Sequence, residues 1–93
     1  MNIKTIKKEM DKLKHLLSLP SVDVCWSSYD SADEAIAELE LLETGVINQD
    51  ENAISRLLFL LLPTSDLQEI SISSGWGTEF LNIAEVLEKE LGK

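Results

Sequence analysis

Apolar and polar residues follow a helical period over most of the chain. Ile3, Ile6, Met10, Leu13, Leu16 and Leu17 recur at the spacing of one helix face, with the lysines mostly off that stripe, which predicts an amphipathic helix over 2–18 ended by Pro20. Val22, Val24 and Trp26 then alternate with Asp23 and Cys25, the spacing of a short strand. Ser31 and Glu34 have capping-box spacing, with Asp30 as a rival N-cap, and open a helix over 31–45. Its buried face is Ala32, Ala35, Ile36, Leu39, Leu42 and Val46, its polar face is acidic (Asp33, Glu34, Glu38, Glu40, Glu43), and Gly45 marks its end.

The chain is organised around Leu57 to Leu62, an unbroken apolar run. Asn48 or Asp50 caps the segment, β-branched residues are absent from 55 to 62, and Pro63 stops it, so 50–62 reads as a buried central helix. On that reading Leu58→Ala or Phe59→Ala costs about 2–5 kcal/mol. The run is far shorter than the roughly 20 apolar residues needed to cross a bilayer. Segment 65–74 is ambiguous. Ser65 with Gln68 and the stop at Gly75 favour a short helix, while Ile70 and Ile72 alternating with serines suit a strand. Gly75, Trp76 and Gly77 form a turn, and Thr78 caps a last helix over 79–91 whose inner face is Phe80, Ile83, Ala84, Leu87 and Leu91.

The expected fold is therefore all-α, a compact bundle of four main helices with a short fifth element at 65–74. The alternative is α+β, with two short strands at 22–26 and 69–73. Ninety-three residues make one domain, 1–93, with a single core. One cysteine excludes an internal disulfide and no Cys/His cluster suits zinc, so packing alone must hold the fold in a reducing, cytoplasmic setting.

Charge is distributed unevenly along the chain. Residues 1–18 carry five lysines against Glu9 and Asp11, a balance of +3, whereas 19–93 carry three basic residues against fifteen acids, a balance of −12. Such a surface repels nucleic acid and anionic membranes and favours a basic protein partner.

Candidate chemistry is sparse. Cys25 and His15 are the only residues of their types and would have to form any Cys–His pair, with no third residue to orient them. Cys25 reads better as a small buried hydrophobe and His15 as a surface residue. Glu69, between Leu67 and Ile70, is the one candidate for a buried acid–base carboxylate. Asp30, Asp33 and Glu34 cluster without EF-hand spacing, and no phosphate-cradling loop is present, so no metal or cofactor is expected. An enzyme reading would need a pocket of about 300 Å³ or more holding Glu69, His15 or Cys25.

The stretches Trp26 to Ser31, Leu58 to Thr64, Leu67 to Ser71 and Gly75 to Leu81 resemble a group of short, uncharacterised bacterial proteins of about this length, over roughly residues 26–83. The resemblance implies a bacterial protein and no catalytic role. The expected function is a small acidic interaction module, in one form an inhibitor or immunity-type protein, binding a basic partner. Trp26, Tyr29 and Trp76 would be its anchors, and Asp30, Glu34, Glu38 and Glu69 its steering charges; the other reading of the two indoles is that they plug the ends of the bundle, the turn at Gly75 to Gly77 folding Trp76 back onto the body. The alternative is a homo-oligomer, a homodimer in its simplest form, joined by surplus apolar surface at Leu41, Leu60 and Leu62.

Overall fold

Among the described residues five helices form, close to where the caps and stripes place them: α1 (Ile3–Leu17), α2 (Ala32–Ile47), α3 (Glu51–Leu60), α4 (Asp66–Ser74) and α5 (Gly77–Gly92). The structure, a computed structural model, describes residues 2–25, 27–63 and 65–92. Asn2, Ser31, Asp50 and Ser65 each accept a backbone N–H of the first turn and so cap α1 to α4. The Glu34 carboxylate also reaches back to the Asp30 N–H at 3.4 Å, one residue short of a reciprocal capping box.

The bundle is a ring in which α1 packs on α2 and α5, and α3 closes the circuit between α2 and α5. Helix α4 sits against α3 and α5. One core fills the ring, with Phe80, Ile6, Met10, Leu13, Leu39, Leu57, Leu67 and Leu87 among its fully enclosed side chains. The Cα radius of gyration, 12.1 Å, is that of a closely packed body of this length.

The α+β alternative is overturned. Among the described residues there is no strand: 22–25 form an irregular connector, and 69–73 lie inside α4. The connector gains its order from side chains, with the Asp23 N–H donating to Ser74 Oγ at 2.8 Å and Val22 and Val24 resting on the core. Alternation over so few residues reflects one edge of a connector touching the body.

The apolar run departs from expectation as well. Leu57, Leu60 and Leu61 are buried and Leu58 is half-buried, but Phe59 is 55% and Leu62 42% exposed. Neighbouring helices cover only part of α3, and at 100° per residue a continuous apolar run must present something outward. The guanidinium of Arg56 lies 5.5 Å from the Phe59 ring centroid and covers part of it. Large costs are therefore expected at Leu57 rather than at Phe59.

Two glycines act differently from each other. Gly75, at φ 87°, ends α4: its N–H and that of Trp76 bond back to the carbonyls of Ile72 and Ser71 at 3.2 and 2.9 Å. This reversal starts α5 at Gly77, before the Thr78 cap that the sequence suggests. Gly45 does not end α2, which runs on to Ile47 and turns at Gln49, φ 59°. A Cβ at Gly45 would lie 2.5 Å from the Cβ of Ala53, so the missing side chain is what lets α2 and α3 touch.

Candidate functional site

The first candidate surface is α2 with the connector that leads into it. The connector places Tyr29 half-buried against the core, where its phenol donates to Glu38. Arg56 Nε, from α3, donates to the same carboxylate at 2.9 Å. Ser28 Oγ donates to Asp66 of α4, so the connector is held to both α2 and α4. The hydrogen bond from Arg56, aided by that from Tyr29, holds the Glu38 carboxyl below the usual glutamate range. Burial, and then the adjacent Glu38 charge, push the Tyr29 phenol above its ordinary value, so it stays a donor.

This pairing sets one pH-dependent contribution to stability. Glu38 has a folded pKa below its unfolded one, so its contribution is present above the ordinary glutamate range and is lost as pH falls through the folded value. Arg56 is 42% exposed and Glu38 26%, so solvent screening limits the pair to about 0.5–1 kcal/mol. Arg56→Met should lower stability by that amount at pH 7. Urea titrations should show the difference from wild type shrinking as the pH drops below about 4.

The outer face of α2 is built differently. Asp33, Glu34, Ala37, Glu40, Leu41 and Thr44 are all exposed and recur at three- and four-residue spacing along one side of the helix. Leu41 is 76% exposed. Among the described residues, Asp30, Asp33, Glu34 and Glu40 join no ion pair, in contrast to Glu43, which takes Lys14 Nζ at 2.8 Å.

The second surface is a groove of about 360 Å³ between α1 and α5. Leu16, Ile83 and Val86 give it apolar walls. Its polar groups are Glu9, Lys12, His15, Glu79 and Asn82. It reaches the size that an enzyme reading requires, and His15 lines it, but Cys25 and Glu69 do not. No hydroxyl or thiol is among its lining residues, and the His15 ring makes no hydrogen bond among the described residues. The groove thus offers binding groups and, among the described residues, no hydroxyl or thiol nucleophile.

The predicted site residues do not form one site. Tyr29, Asp30, Glu34 and Glu38 gather at the start of α2, but Glu38 is neutralised by Arg56 and is no free steering charge. Glu69 is exposed on α4, which does not touch α2, so it is neither a buried acid–base residue nor part of that face. Trp76 is 4% exposed and belongs to the core, because the turn at Gly75 folds it inward; its indole N–H meets no acceptor among the described residues. Trp26 lies outside the described residues. Cys25, expected to be buried, is exposed, since the connector puts Val22 and Val24 inward instead. Leu60 is buried while Leu41 and Leu62 are not.

Sequence reasoning passed over Arg56, although it is the only basic residue between 19 and 88, and therefore the one cation that this region supplies to its own acids. It also passed over Glu9, 6% exposed, whose place three residues after Ile6 and four before Leu13 puts it on the buried face. Among the described residues no group of three or more His, Cys, Asp or Glu could hold a metal ion, and no helix is long and apolar enough to cross a membrane. Compared with known proteins, the chain matches no family model, no curated protein and no solved structure.

Proposed function

We propose that this is a small acidic interaction domain, bacterial by the resemblance of its sequence, whose outer α2 face receives a basic partner. The observation that supports it most is Leu41, 76% exposed in the middle of carboxylates that no base among the described residues neutralises. An apolar residue in that setting is an anchor, and the unpaired acids around it steer a cationic surface toward it. Asp30 and Glu34 extend the acidic strip toward Tyr29. An inhibitor or immunity-type role, acting in the cytoplasm, is one form of this reading.

The test uses a synthetic amphipathic peptide with Leu and Lys at helical spacing. Leu41→Ala combined with Glu34→Lys and Glu40→Lys should weaken binding at least about tenfold at low salt. Glu85→Lys with Glu88→Lys, an equal charge change on α5, should weaken it less. Equal losses on both faces would mean that net charge alone is sensed.

A second reading, a homodimer, draws support from Phe59, Leu62, Ile72 and Leu81, which are all exposed along with Leu41. Sedimentation showing a stable dimer unaffected by charge reversal would favour it. Catalysis has the His15-lined groove in its favour and lacks a hydroxyl or thiol among the described residues that line it.

A further inference from the structure

We propose that the groove between α1 and α5 binds a primary ammonium ion carried on a short apolar stem. The inference is independent of the role given to α2, because α2 and α5 do not touch and α1 stands between them.

Glu9 carries the argument. It is 6% exposed, on the side of α1 that also buries Ile6, Met10 and Leu13. Its only ion-pair partner among the described residues is Lys12, 3.0 Å away and itself 52% exposed. Lys12 bonds Oε2, and Oε1 accepts no hydrogen bond among the described residues. Lys12 is thus the one cation on this carboxylate among the described residues, and Oε1 is left for a donor that enters the groove.

The surroundings specify which ligand. Glu79 adds a second carboxylate to the groove, so acids outnumber lysines there two to one. An ammonium group has three donors and no acceptor, which suits two carboxylates and would be repelled by a basic site. Leu16, Ile83 and Val86 supply a wall for an alkyl stem. The volume, about 360 Å³, falls in the range of about 300–1,000 Å³ typical of small-molecule sites. Lys12, an exposed cation on the other oxygen of the same carboxylate, competes with the ligand's ammonium.

The probe is n-hexylammonium, titrated at pH 7 while the backbone amide signals of residues 9–16 and 79–86 are followed by NMR, with n-hexanol and hexanoate as neutral and anionic controls. Hexylammonium should give saturable shifts confined to these segments, with affinity at least about tenfold above hexanol, and hexanoate should give none. Glu9→Gln should weaken binding at least about tenfold. Lys12→Met, which removes the internal competitor, should strengthen it, by roughly threefold for an exposed lysine. Asn82→Trp, at an exposed position on the rim, should fill the groove and abolish binding; with Lys12→Met it keeps the test decisive if Glu9→Gln does not fold. Nα-acetyl-lysine amide, run in parallel, separates the sources: tighter binding than hexylammonium names a lysine side chain of a partner, weaker binding a free amine. Equal binding of hexanol, binding of hexanoate, weaker binding in Lys12→Met, or no binding of any probe would each overturn the proposal.

Discussion

Phe80→Ala should lower the unfolding free energy by about 3–5 kcal/mol, while Phe59→Ala should cost less than about 1 kcal/mol. Phe80 is fully enclosed and lies one turn into α5, the helix that contacts α1, α3 and α4. Its loss gives up the burial of the ring and leaves a cavity in the one core that the helices share, which cannot fully collapse into it. For a domain whose whole stability is about 5–14 kcal/mol at this length, that is a large share. Phe59 is 55% exposed and loses only partial burial and its contact with Arg56. Chemical denaturation of the two variants, side by side, measures the difference. Equal costs would mean that α3 is covered on both sides, and the ring arrangement would be wrong.

Gly45→Ala should destabilise by roughly 1–3 kcal/mol, opposite in sign to the usual gain of about 1 kcal/mol for replacing glycine within a helix. The new Cβ would stand 2.5 Å from the Cβ of Ala53, far inside contact distance. Neither atom is the end of a flexible side chain, so the overlap is relieved only by moving α2 away from α3. The link between them resists this. It is a turn through Asn48 and Gln49, closed by the Asp50 N–H on the Gly45 carbonyl at 2.8 Å. A gain in melting temperature for Gly45→Ala would contradict the close approach of the two helices. Ala53→Gly in the same background should recover part of the loss, because it removes the opposing methyl.

The helices were legible because their signals are local. Ser31, Asp50 and Ser65 cap where their spacing says, Gly75 takes the left-handed conformation a helix stop needs, and the stripes of α1 and α5 bury as the period demands. What was not legible depends on which neighbour covers which side. Phe59 and Leu57 are equally apolar in sequence, and only the packing of α3 decides that one is exposed and the other enclosed. Trp76 reads either as a recognition anchor or as a ring that the glycine turn folds back onto the body, and the packing decides for the second. The same holds for the sites. Glu38 looks like one more surface acid, and its neutralisation needs Arg56, distant in sequence. The groove joins residues near 9–16 with residues near 79–86, a pairing that neither helix announces alone.

The most direct measurement of the central claim is an amide chemical-shift map of the protein with the amphipathic Leu/Lys peptide bound at low salt. The largest shifts should fall between Asp33 and Thr44, strongest at Ala37, Glu40 and Leu41, and should fade together as salt is raised. Shifts spread over α4 and α5 as evenly as over α2, or centred on Phe59 and Leu62 instead, would contradict it.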